Sequence, residues 1–178
     1  MIMDAGVPVP PKLYGGHERL VYMFAEEYIK MGHDVTIMAG PDSYCSGKTI
    51  QFGKNGLPKG KLQSLFEILT VWKFLLFNHG RYDLIHNFGR LVYLLPILNK
   101  SVFKIMTYGR MVTAENIQKI CKKKNKNLIF TGCSNYLVST GNIAGNWKTV
   151  YNAIEFDKYT LRSDVDDNAP LMLSLIHI

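Results

Sequence analysis

Short apolar runs alternate along this chain with longer segments whose apolar residues recur at helical spacing. Met1–Met3 reads as the end of a first strand. His17–Met31 predicts a helix, with Leu20, Phe24, Tyr28 and Met31 on one face and Gly32 as its C-terminal stop. Asp34–Ala39 follows as a second strand, and Lys48–Phe52 adds a short one inside the Gly-, Ser- and Lys-rich stretch Pro41–Lys61. Leu62–Asn78 predicts a second helix with more apolar surface than a solvent-facing helix needs. Burial against a sheet accounts for that surface, and contact with a membrane surface or a partner is the alternative. Beyond it, Tyr82–His86 predicts a strand, Leu91–Leu98 a short helix, Phe103–Tyr108 a strand and Thr113–Lys122 a helix. Leu128–Thr131, Ser134–Ser139 and Lys148–Tyr151 then predict strand, helix and strand. The repetition predicts an α/β fold, a Rossmann-like doubly wound parallel sheet, whose ligands bind beyond the carboxyl ends of the strands.

Composition is consistent with one domain: 178 residues, 47% of them apolar, suffice for a core. Cys45, Cys121 and Cys133 are odd in number and far apart, which indicates neither a disulfide framework nor a zinc site. No basic region followed by a long apolar run opens the chain. The longest apolar stretch, Leu65–Phe77, is interrupted by Glu67, Thr70 and Lys73 and is too short to span a bilayer. The expected location is therefore cytoplasmic, or peripheral at the inner face of the membrane. Net charge is +7, and the densest basic cluster is Lys119, Lys122, Lys123, Lys124 and Lys126. It reads either as a solvated helix end or as a contact for anionic lipid headgroups. Nucleic acid is not an expected partner, because no aromatic platform or recognition motif accompanies the charge.

The chemistry concentrates in Pro8–Asp42, where a proline-rich loop runs into Gly15-Gly16 and then into the first helix. Glycines at that point let backbone approach a ligand, and the helix N-terminus offers unpaired N–H donors to an anion. An ordinary tight turn is the plain alternative. Glu18 in the first turn favours the helix dipole whether or not it touches a ligand. His86, at a strand end beside Asn87 and Arg90, is either a satisfied structural group or a recognition residue. Arg90 carries a planar fork suited to a carboxylate or phosphate. Ser134 suits a helix N-cap.

Tyr14-Gly15-Gly16-His17-Glu18-Arg19, followed by Gly32-His33-Asp34-Val35-Thr36, resembles the opening of the retaining family 4 glycosyltransferases of the GT-B fold. Asp83-Leu84-Ile85-His86-Asn87 and Val150-Tyr151-Asn152-Ala153-Ile154-Glu155 resemble two further segments of that family in the same order. The resemblance implies that residues 1–156 form the N-terminal, acceptor-side half of a GT-B fold. It further implies an interdomain linker at 157–170 and, at 171–178, a truncated or artefactual start of a donor-binding domain. Gly15 and Gly16 would face the diphosphate or sugar of a nucleotide-diphosphate-sugar donor. Glu18, Arg19, His86, Asn87, Arg90, Tyr108 and Arg110 would serve a glycan or lipid-linked acceptor, and Asn152 would fix the domain junction. His17 stands where relatives carry Thr, Ala or Ile, which implies a dispensable imidazole. Tyr108-Gly109 stands where many relatives place a histidine, so a direct histidine role there is not expected. The expected activity is hexosyl transfer with retention by the full-length enzyme and none by this fragment alone, with no catalytic residue assigned. The nucleotide sugar is a co-substrate and no cofactor is implied. No Asp-x-Asp signature argues for a metal, and no Gly-x-Gly-x-x-Gly after a strand argues for an oxidoreductase. A non-catalytic sugar- or anion-binding module and a GT-B nucleotide-sugar epimerase are the alternatives.

Overall fold

The computed structural model describes residues 1–56, 60–112, 114–123, 125–141 and 144–154. The expected linker at 157–170 and the segment 171–178 lie outside the described residues, as do Thr113, Lys124 and Glu155. Among the described residues, six strands and four α-helices follow one another as α1 (Gly16–Lys30), β1 (Thr36–Ala39), β2 (Lys48–Gln51), α2 (Lys61–Asn78), β3 (Leu84–Asn87), β4 (Phe103–Tyr108), α3 (Ala114–Cys121), β5 (Leu128–Gly132), α4 (Asn135–Gly141) and β6 (Trp147–Thr149). Every strand pairing is parallel.

The pair β1-β2 and the four-stranded run β3-β4-β5-β6 are joined by Met1–Met3. The Ile2 amide donates to the His86 carbonyl at 2.9 Å, and the Phe88 amide donates back to the Ile2 carbonyl at 2.8 Å. On the other side, Met38 N–H reaches Met1 O at 2.8 Å and Met3 N–H reaches Met38 O at 2.9 Å. The order is thus β2-β1-(Ile2)-β3-β4-β5-β6, all parallel, and the direction in which successive strands are added across the sheet reverses between Met1–Met3 and β3. Such a switch point opens a crevice at the carboxyl ends of the strands.

Alternation of side chains along the strands divides the core into two layers. Ile2, Met38 and Ile85 belong to one, with Val71 and Leu75 of α2. Met3, Ile37, Ala39 and Phe88 belong to the other, with Val21 and Ala25 of α1. Helices therefore cover both faces, as a sheet of parallel strands requires.

Three local expectations shift. The helix α1 buries Val21 and Ala25 fully; Leu20, Phe24 and Tyr28 are half-buried, Phe24 packing against Phe88, and Met31 is 71% exposed. Small Ala25 lets the helix approach the sheet, and Leu20, Phe24 and Tyr28 are left flanking an opening. Leu91–Ile97 is a 3-10 helix, since Pro96 lacks the N–H an α-helix would use. On α2, burial accounts for only one stripe, Glu67, Val71 and Leu75. Gly32 ends α1 as expected: at φ 88° it donates to Ile29 O, and His33 N–H reaches back to Tyr28 O.

The two sides of α2 set up a direct comparison. Leu75 is 1% exposed and its neighbour Leu76 is 48% exposed. Leu75→Ala is expected to cost about 2–5 kcal/mol in a urea titration, whereas Leu76→Ala should stay within about 0.5 kcal/mol of the parent.

Candidate functional site

Neighbouring strands deliver polar side chains to one sheet face near their carboxyl ends: His86 from β3, Thr107 from β4 and Thr131 from β5. Thr107 and Thr131 are register partners, their hydroxyls 2.7 Å apart, and His86 Nε2 lies 2.8 Å from Thr107 Oγ1. Above them α1 places His17, Phe24 and Tyr28, and beyond β6 the chain adds Val150, Tyr151 and Asn152. These residues, with Tyr108, Gly109 and Cys133, enclose a cavity of about 100 Å³. Its wall is chiefly aromatic and aliphatic, and none of the described lining residues is a carboxylate. Whole-ligand sites usually measure about 300–1,000 Å³, so this volume suits one end of a ligand.

Two imidazoles define its electrostatics. His86 is 5% exposed and lies against Phe88, with ring centroids 4.0 Å apart. Burial pushes its pKa down to about 3, so the ring is neutral at neutral pH. His17 meets Phe88 edge-on at 5.8 Å. Its pKa is also lowered, mainly by burial, with Asp4 opposing and Arg110 adding to the shift. His17 Nε2 and His86 Nδ1 are buried and have no hydrogen-bond partner among the described residues. Leaving buried polar atoms unpaired costs free energy that a ligand's hydroxyl can recover.

The Gly15-Gly16 turn sits one residue before His17. Gly15 adopts φ 151°, and a Cβ there would lie 2.8 Å from Pro11 Cβ and 2.9 Å from Glu18 Oε2, so both backbone and space demand glycine. The first helical bond runs from Arg19 N–H to Gly15 O at 3.0 Å, and no side chain of Gly15 exists to cap the amides before it. The Glu18 carboxylate lies close to Gly15 at this end. Burial raises its pKa, the nearby Glu18 backbone amide opposes the rise, and Asp4 adds to it.

The remaining sequence-predicted residues divide clearly. Tyr108 and Asn152 share the cavity with His86. Tyr108 also stacks near Trp147 at 5.8 Å, and burial raises its hydroxyl pKa. Arg110 is exposed beside the cavity and acts on His17 through its charge. Arg19 is exposed and donates to Leu13 O at 3.3 Å. Asn87 is fully buried: its amide donates to Arg90 O and Met106 Sδ and accepts from Gly89 N–H, which shapes the loop after β3. Arg90 is held by Asp4 at 3.1 Å, Glu67 at 3.0 Å and the Tyr93 hydroxyl, outside the cavity lining. Ser134 caps α4 by accepting from Leu137 N–H at 3.1 Å.

Sequence reasoning did not single out Asp4, Tyr93, Thr107 or Thr131. Glu67 carried a readable signal, since a carboxylate inside an apolar helix must find a cation if it is buried. Thr107 and Thr131 carried none, because threonine is common in strands for packing reasons alone. No protein-family profile matches the chain, and no curated protein matches it.

The depressed pKa of His86 predicts acid sensitivity. Below about pH 6.5 the unfolded chain takes up a proton that folded His86 refuses until about pH 3, so stability falls as pH drops through that window. At about 1.4 kcal/mol per pH unit, this group alone should remove about 2 kcal/mol between pH 6.5 and 5. Urea midpoints across that range check it: His86→Gln should flatten the slope without abolishing it, since burial also lowers the His17 ring and the Met1 amino group.

Proposed function

We propose that this chain is the acceptor-side domain of a GT-B glycosyltransferase. The full-length enzyme would transfer a sugar from a nucleotide-diphosphate donor to a glycan or lipid-linked acceptor with retention of configuration. The observation that supports this most is the cleft at the carboxyl ends of the strands, with an aromatic wall and two buried imidazole nitrogens lacking partners. A sugar ring presents an apolar C–H face to aromatics and hydroxyls that can both donate and accept. A neutral imidazole is the matching group, because one nitrogen donates while the other accepts.

The division of labour follows from what the cleft contains. With both histidines biased toward the neutral form and no carboxylate in the described lining, the cavity is built for hydrogen bonding and orientation. Holding the acceptor in one pose is itself a large catalytic contribution. The Gly15-Gly16 turn at the rim would meet the donor's diphosphate with backbone N–H groups and the positive end of α1. Glu18 covers that end in the structure and would have to yield to the phosphate or be protonated. Stabilising the departing diphosphate would complete the reaction from the facing domain. A non-catalytic sugar-binding module is the second reading, favoured by the same lack of a carboxylate in the cavity wall.

Amide NMR on the 178-residue chain tests the proposal with pyrophosphate, uridine diphosphate and a monosaccharide panel. Saturable shifts are expected at Gly16 and His17 with the diphosphates, and at His86 and Tyr108 with a sugar. Gly15→Val should abolish the first set, and no sugar transfer is expected from this chain alone. Shifts absent from both sets would remove the proposal, and sugar shifts without diphosphate shifts would favour the binding module.

A further inference from the structure

The outer face of α2 is apolar without being covered. Leu62, Leu65, Phe66, Leu69, Leu76 and Phe77 are between 46% and 77% exposed. At about 100° per residue they fall within about 140° of the helix circumference, opposite the Glu67, Val71 and Leu75 stripe that faces the core. Isolated exposed apolar residues are ordinary, but a contiguous row marks a contact surface.

The charges on this face are of one sign. Lys61 and Lys73 are its exposed ionic groups, whereas the sole carboxylate of α2, Glu67, is buried toward Arg90. Its polar content is equally restricted: the Thr70 hydroxyl is turned back to Phe66 O at 2.8 Å. The face therefore offers apolar area and positive charge, with almost no directional hydrogen bonding. A second copy would set lysines against lysines with no carboxylate between them. An anionic lipid surface matches both properties, since Lys73 can extend its stem from among the apolar side chains to a headgroup phosphate. No helix among the described residues is long and apolar enough to cross a membrane.

We infer that the outer face of α2 docks the protein on an anionic lipid surface, with the helix axis in the plane of the interface. The inference is independent of the glycosyltransferase reading, since it uses a face and side chains that the cavity does not. Co-sedimentation with phosphatidylcholine vesicles, with and without phosphatidylglycerol, tests it. The chain should sediment with the anionic vesicles and not with the neutral ones, and added salt should release it. Leu62→Ser combined with Phe66→Ser and Phe77→Ser should lower binding at least about tenfold, because insertion scales with buried apolar area. Circular dichroism melting should stay unchanged, since all three side chains are exposed. Lys73→Gln should lower binding about fivefold, the equivalent of one surface charge. Absence of binding to anionic vesicles overturns the inference, and so does binding that the triple variant leaves intact. A concentration-dependent dimer that the triple variant abolishes would assign the face to a second copy and overturn it as well.

Discussion

Everything in this fold depends on how Met1–Met3 is held. Its amides and carbonyls bond to Met38 on one side and to His86 and Phe88 on the other, which converts a strand pair and a four-stranded run into one sheet. Without it, β1-β2 and β3 would present unpaired backbone edges to each other in the middle of the molecule. The same segment sends Ile2 into the layer beneath α2 and Met3 into the layer beneath α1. A few residues thus fix both the continuity of the sheet and the position of the crevice.

From that constraint the two faces acquire different chemistry. The layer beneath α2 and the 3-10 helix at Leu91–Ile97 is closed by large aliphatic and aromatic side chains, and the Asp4–Arg90–Glu67–Tyr93 cluster lies at its edge. There the Tyr93 hydroxyl donates to Asp4 Oδ1 at 2.7 Å and receives Arg90, so four polar side chains satisfy one another. The layer beneath α1 is filled only as far as Val21 and Ala25 reach. Past them the polar row His86, Thr107 and Thr131 remains beside a cavity instead of a packed helix.

The architecture was legible because parallel strands and their helices write strong periodicities, and each predicted strand has a counterpart within a residue or two. What was not legible depends on which side of a helix wins. The stripe Leu20, Phe24, Tyr28 has the right spacing for a core face, yet α1 turns Val21 and Ala25 inward because small side chains permit close approach. A periodicity argument weighs size and hydrophobicity but not the depth of the groove that receives them. The loop after β3 was hidden for a similar reason. Asn87 and Arg90 look alike as strand-end polar residues, but one is consumed by its own turn and the other by carboxylates brought from Asp4 and Glu67, distant in sequence.

The histidines show how burial converts an ambiguous residue into a defined one. A strand-end imidazole can serve as acid, base, ligand or packing group, and sequence offers no means of choosing among them. Here desolvation, set by Phe88, Phe24 and the overlying α1, removes the charged form of His86 at neutral pH. What is left is a rigid donor-acceptor pair whose Nε2 is tied to Thr107 and whose Nδ1 has no described partner. Such a group discriminates by geometry rather than by charge, since an incoming hydroxyl must match the direction that the bond to Thr107 fixes for the ring. Recognition of a neutral polar group is the chemistry that arrangement favours, and under the proposed function the donor's diphosphate would meet the glycine turn where α1 begins instead.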